Sequence, residues 1–106
     1  MDAERRPRSA EEPEEPDPAG VERLAAFRRG VRLVSLDPAT NRSRFYALAW
    51  RRSLFGEPAL VCTWGRLGTV GRHRVRVFPD AQRAQAAIVA LLRRRLRHGY
   101  RVVEWD

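Results

Sequence analysis

Two hydrophobic rhythms divide the chain. Between residues 31 and 78 apolar positions recur every second residue, and between 80 and 98 they recur every third or fourth. Residues 31–36 alternate Val31, Leu33 and Ser35 with Arg32, Val34 and Leu36, and their β-branched content favours a strand. Asp37, Pro38 and Asn41 then supply turn chemistry. Residues 43–51 form the second expected strand, with Phe45, Ala47 and Ala49 on one side and Tyr46, Leu48 and Trp50 on the other. Both sides are largely apolar, so part of this strand is expected to be covered on both. Residues 52–58 read as a loop around Gly56 and Pro58, with Leu54 and Phe55 expected to fold back onto the core.

Residues 59–66 form the third strand, where Leu60, Cys62 and Trp64 share one face and Val61, Thr63 and Gly65 the other. Gly68 and Gly71 suit a tight turn with positive φ. In the fourth strand, residues 72–78, Arg72, Arg74 and Arg76 alternate with His73, Val75 and Val77. The three arginines therefore form a stripe on the hairpin partner of the Trp64 strand.

The helical stretch opens at Asp80, a good N-cap, and ends where Gly99 suits a left-handed C′ position. Ala84, Ile88, Leu91 and Leu92 make its buried stripe, while Arg83, Arg93, Arg94 and Arg97 fall on the opposite side. At ~100° per residue Arg95 lands inside the apolar stripe. It is expected to snorkel or to meet a specific acceptor, in a structural role. Residues 100–104 read as a short closing strand. Strands followed by one helix give an α+β fold class: a small antiparallel β-sheet of about four to five strands with one C-terminal helix packed on it.

Charge changes the picture of the ends. Residues 1–20 hold seven carboxylates against three arginines, net −4, and are poor in apolar groups, so they read as a disordered acidic, Pro-rich tail. This tail is either an inert solubiliser or a transient cover for the basic domain. Residues 21–30 read as a linker or a short helix with Leu24 and Phe27 on one side. Residues 31–106 form the domain. From residue 21 onward 18 arginines face six acids, net +12, against +8 for the whole chain. Such density points to a polyanionic partner. All 21 basic residues are arginine, which offers planar, bidentate contacts to phosphate and stacks on rings.

Other classes recede. Cys62 is the only cysteine, so no internal disulfide can form, and it reads as a small apolar packing residue. No signal peptide and no apolar run of spanning length is legible, so a membrane role is not expected. The expected place is the cytoplasm of a bacterial cell, on the nucleoid if DNA is bound. His73 and His98 lie 25 residues apart with no metal-ligand spacing around them. No nucleophile elbow or phosphate-binding glycine loop is present. No enzyme activity, catalytic residue, metal or cofactor is expected, and no oligomeric signal is legible.

The chemistry that remains converges on Trp64-Gly65-Arg66, continued by Leu67-Gly68-Thr69. An aromatic face beside a guanidinium suits nucleic acid: the ring stacks on a base or sugar while the guanidinium grips a phosphate. Gly65 would leave room for a partner to approach closely. Trp64 also shares a face with Leu60 and Cys62, which leaves a core role open, and Tyr46, Trp50 and Phe78 read as core.

At these residues the chain resembles the WGR domain family. Trp64-Gly65-Arg66-Leu67-Gly68-Thr69 matches its signature, and Arg44-Phe45-Tyr46 resembles its basic-aromatic-Tyr strand. Phe78, Ala84, Arg95 and Gly99-Tyr100 match its closing pattern, with Arg95 for the usual Lys. The resemblance covers residues 31–104 and implies a small antiparallel sheet with one helix across a face. In poly(ADP-ribose) polymerases this domain binds DNA near strand breaks and passes the signal to a catalytic domain. The resemblance thus implies that Trp64 stacks on a terminal nucleotide and that Arg66 contacts DNA or a neighbouring domain. Ser43-Arg44 stands where those polymerases have Asn-Lys; Arg44 keeps the charge and Ser43 can still bond a phosphate. No catalytic domain is legible here for a relay to act on. The expected partner is DNA with breaks or ends, bound through Ser43, Arg44, Trp64, Gly65, Arg66, Arg72, Arg74 and Arg76. The alternative is a protein-interaction module docking an acidic partner, or an enzyme supplied in trans.

Overall fold

The computed structural model of the chain describes residues 18–106, and nearly all of the expected acidic tail lies outside the described residues. Helix α1, Pro18–Ala25, leads into strands β1, Gly30–Asp37, and β2, Arg42–Arg52, joined by a 3-10 turn at Pro38–Thr40. Strands β3, Pro58–Arg66, and β4, Arg72–Val77, precede helix α2, Ala81–Arg97, and strand β5, Arg101–Trp105, closes the domain. The sheet is antiparallel throughout, in the order β4-β3-β2-β1-β5. Its architecture is the expected small α+β fold.

Only one connection leaves the hairpin pattern. Helix α2 carries the chain from the β4 edge to the opposite edge, where β5 pairs with β1 through Leu33↔Val102 and Val31↔Trp105. Seventeen residues at 1.5 Å each make a helix of about 26 Å, enough to cross five strands about 4.8 Å apart. Its ends are as the sequence suggests. Asp80 Oδ1 accepts from Arg83 N at 2.7 Å, and Gly99 sits at φ +88. Gly99 N and Tyr100 N donate to Leu96 O and Arg95 O, closing a Schellman motif.

The apolar stripe of α2 is Ala84, Ile88 and Leu92, all fully buried. They share one cluster with Val31 and Leu33 of β1, Tyr46 and Leu48 of β2, and Leu60 and Cys62 of β3. Strand β4 contributes nothing to it. Each buried Leu or Ile here contributes about 1.5–3 kcal/mol. Arg95 does lie within the stripe, as helical spacing requires. Its guanidinium stands over the Tyr46 ring at 4.3 Å and the Tyr100 ring at 5.8 Å. Aromatic faces are therefore its acceptors, while its Nε is buried with no hydrogen-bond partner.

Helix α1 packs beside α2 and adds Val21 and Ala25 to the core, followed by Phe27. Trp105 Nε1 donates to Leu24 O at 3.0 Å, and Arg28 N and Arg29 N donate to Asp106 O at 2.8 and 2.6 Å.

The far face of the sheet carries no helix among the described residues. There Phe45 is buried beneath the Arg32 guanidinium, 4.7 Å from its ring, whereas Ala49 is exposed. The two-sided cover expected of β2 is thus confined to its first half.

One expectation fails. Leu54 and Phe55 do not fold onto the core; they are 98% and 87% exposed. The β2–β3 ladder extends to Arg52↔Pro58, and Ser53 Oγ accepts from Phe55 N and Glu57 N. The tight turn this produces carries both side chains beyond the end of the sheet. Phe55→Ser should therefore change unfolding free energy in urea by no more than about 0.5 kcal/mol. Ile88→Ala, measured alongside, should cost about 2–5 kcal/mol.

Cys62 is buried, as a packing role requires. Burial pushes its thiol up, against the opposing pull of a hydrogen bond with Tyr46 and the charges of Arg76, Arg74 and Arg95. Burial, followed by the neighbouring Cys62, also pushes the Tyr46 hydroxyl up, against Arg95. Both groups hold their protons more tightly when folded. Above the ordinary thiol pKa of about 8.5 the unfolded chain releases its proton first, so stability falls as pH rises. Urea midpoints measured from pH 7.5 to 10 should decline, and Cys62→Ala should remove the part of the decline that starts near pH 8.5.

Candidate nucleic-acid interface

Strand register brings most of the singled-out residues together. Across β2 and β3, Arg44 lies opposite Arg66 and Tyr46 opposite Trp64. Across β3 and β4, Trp64 lies opposite Arg72, Cys62 opposite Arg74 and Leu60 opposite Arg76. Period-two alternation puts Arg44, Trp64, Arg66, Arg72, Arg74 and Arg76 on the face that bears α2. Since β4 lies outside the helix-covered core, its arginines stand clear of the helix. Trp64 is half-buried, with part of its ring packed on the core and the rest turned outward.

The electrostatics are one-sided. Cross-strand partners have Cβ atoms about 4.5–5.5 Å apart, and like charges placed so repel. Arg44 and Arg66 form such a pair. No carboxylate of the described residues lies within 4.0 Å of Arg44, Arg66, Arg72, Arg74 or Arg76. The ion pairs seen, Arg29–Asp106 and Arg83–Asp80, are elsewhere and exposed. Arg76 rests on the Phe78 ring at 5.2 Å, while the Arg72 and Arg74 side chains have no such support among the described residues.

The turn after Arg66 is built tightly. Thr69 donates to Arg66 O from both N, at 3.1 Å, and Oγ1, at 2.7 Å. Leu67 N donates to Ser43 O at 2.9 Å. Gly68 has φ +88 with open space around it, and Gly71 has φ +76 in a crowded place. A Cβ on Gly71 would lie 2.5 Å from Trp64 O and 2.7 Å from Phe45 Cζ. A Cβ on Gly65 would lie 2.8 Å from Gly71 Cα. The room at Gly65 is thus occupied by the returning chain rather than left for a partner. The two glycines press the hairpin shut and hold Trp64 and Arg66 in place.

Two of the singled-out residues stand apart. Ser43 and Gly65 alternate to the other face, so the Ser43 side chain is not beside Arg44; its backbone carbonyl anchors Leu67 instead. Two neighbours went unrecognised as site residues. Asn41 accepts from Arg66 Nη1 through its carbonyl and from Nη2 through Oδ1, both at 3.3 Å. Arg42 donates from Nε to Ser35 Oγ at 2.7 Å and from Nη2 to His98 O at 3.3 Å, and lies over the Tyr100 ring at 5.5 Å. Only the turn residues 37–41 hinted at Asn41. Among the described residues no group of three His, Cys, Asp or Glu side chains is placed to hold a metal ion. No helix of the described residues is long and apolar enough to cross a membrane.

The glycine contacts can be tested by paired substitutions. Gly56 has φ +83 with nothing within 4 Å, so Gly56→Ala should cost only the left-handed backbone, about 1–2 kcal/mol. Gly71→Ala adds the collision with Trp64 and Phe45 and should lower urea stability by at least about 1 kcal/mol more.

Comparison with known proteins follows the same lines. An uncharacterised protein of Sinorhizobium fredii, y4dW, is 39% identical over 66 residues, which is 62% of this chain and 32% of that protein. The chain thus spans about a third of that relative's length. A crystal structure from Bacteroides fragilis superposes with a TM-score of 0.59 at 23% identity, over 71% of this chain and 19% of that one. At that identity the likeness is one of fold. The family model of the WGR domain matches residues 30–105, from the first strand to the last, and the chain belongs to the WGR domain family.

Proposed function

We propose that the domain is a nucleic-acid-binding module, directed chiefly at DNA and at strand ends or breaks. The observation that carries this is the pairing of Arg44 with Arg66 beside Trp64 and Arg72, with no carboxylate of the described residues within 4.0 Å of these arginines. Like charges held together at a cost to the fold are satisfied by a phosphate that bridges them. Trp64 offers its outer surface to the terminal sugar or base. Arg72, Arg74 and Arg76, about 6.7 Å apart along the strand, continue the positive charge away from it. Among the described residues no further exposed ring accompanies that stripe, which suits grip on a backbone rather than stacking on successive bases. Membership of the family adds support, since WGR domains of poly(ADP-ribose) polymerases bind DNA near breaks. In this reading the domain binds rather than catalyses, and in a bacterial cell it would work at the nucleoid.

Fluorescence anisotropy with nicked, blunt-ended and end-blocked hairpin duplexes tests the reading. With about five phosphate contacts, log K should fall against log salt with a slope of about −4 to −5. Trp64→Ala should cost about 1–3 kcal/mol on open ends and little on the blocked hairpin. Weak, equal binding to all three duplexes, indifferent to Trp64, would overturn end recognition and turn the search to an acidic protein partner.

A further inference from the structure

Asn41 is the only non-glycine residue with positive φ among the described residues, at φ +57 and ψ 34. Asparagine tolerates that conformation better than most residues. The turn that delivers it is well tied. Asp37 Oδ1 accepts from Ala39 N at 3.1 Å, Asp37 Oδ2 accepts from Thr40 Oγ1 at 3.0 Å, and Asn41 N donates to Pro38 O at 3.2 Å. Its product is two acceptors from one residue, the Asn41 carbonyl and Oδ1, facing the two terminal nitrogens of Arg66. The opposite amide orientation would set a donor against a donor, so the network fixes which atom faces Arg66.

We propose that Asn41 is a positioning residue for the phosphate-gripping guanidinium of Arg66, a role that rests on the nucleic-acid reading of this site. The two bonds imitate the fork that a carboxylate would offer, but they bring no negative charge. Aspartate also tolerates the left-handed turn and would hold Arg66 more firmly. It would also cancel the charge. A neutral fork orients the guanidinium and leaves its other N–H groups and its full charge available to an anion. At 3.3 Å each, the bonds are long enough for the group to pivot as a phosphate docks. An exposed arginine held in this way loses less rotamer freedom on binding than a free one.

The test uses the full chain with Asn41→Gly, Asn41→Asp, Arg66→Ala and the double variant Asn41→Gly/Arg66→Ala, and reads affinity for a blunt-ended duplex. Glycine keeps the turn and the carbonyl but removes Oδ1, so affinity should drop about three- to ten-fold with the unfolding midpoint nearly unchanged. Aspartate keeps the fork and neutralises it, so the loss should exceed that of glycine and shrink as salt rises. In the Arg66→Ala background, Asn41→Gly should have no further effect. Equal loss in both backgrounds would overturn the proposal, as would parental affinity for Asn41→Gly and Asn41→Asp when Arg66→Ala binds weakly. Parental affinity for Arg66→Ala itself would instead remove Arg66 from the site and end the nucleic-acid reading there, Asn41's part included. Without any ligand, slowed rotation of the Arg66 guanidinium in NMR spectra should be lost in Asn41→Gly. Its absence from the parent protein would overturn the proposal by itself.

Discussion

Everything in this domain depends on how far one helix can reach across one sheet. Helix α2 carries the chain from one sheet edge to the other, but its fully buried side chains cluster with only three of the five strands. Helix α2 spends its buried stripe on the middle of the sheet, where Ile88 and Leu92 meet the residues of β1, β2 and β3 in one cluster. Helix α1 covers the β5 side, where Leu24 accepts from the Trp105 indole. Nothing covers β4. Charged side chains on an edge strand keep it from pairing with another chain. Here the polar side chains that stand beside the helix are all arginine.

The same margin explains why the tripeptide at the end of β3 is built as it is. Trp64 sits where the cover runs out, so one part of the ring belongs to the core and the other to the surface. Arg66 lies one step farther, beyond the last buried side chain. Just beyond Arg66 the backbone must turn back within a few residues without displacing either. Gly65 and Gly71 permit this by letting two main chains touch where a methyl group would hold them apart. The middle letter of the motif is thus a packing requirement.

Much of this was legible in the sequence. Strand alternation puts Arg72, Arg74 and Arg76 on one face of the strand that pairs with the Trp64 strand, and Asp80 and Gly99 mark the helix ends, because each of those signals is local; that the stripe shares the Trp64 face is set by the register. Helical spacing even put Arg95 within the stripe, though only the fold could show that Tyr46 and Tyr100 receive it. What failed was non-local or subtle. Leu54 and Phe55 were read as core from their apolarity, but turn geometry, not hydrophobicity, decides where a hairpin tip points. The family resemblance groups Ser43 with Arg44, whereas adjacent residues in a strand face opposite ways. Asn41 was visible only as a turn former, since its partner lies 25 residues away.

On the proposed reading, the opposed pair Arg44 and Arg66 ties the domain's folding to its surroundings. Like charges placed opposite one another subtract from the stability of a small fold, and a phosphate held between the two side chains would return that loss. Occupancy therefore adds stability by mass action, about 2.7 kcal/mol when ligand stands at a hundred times its dissociation constant. The empty and the filled domain are then two proteins of different durability. In a cell, unbound copies would open more often and be cleared first, so the supply of anionic partner would govern how much of the protein persists.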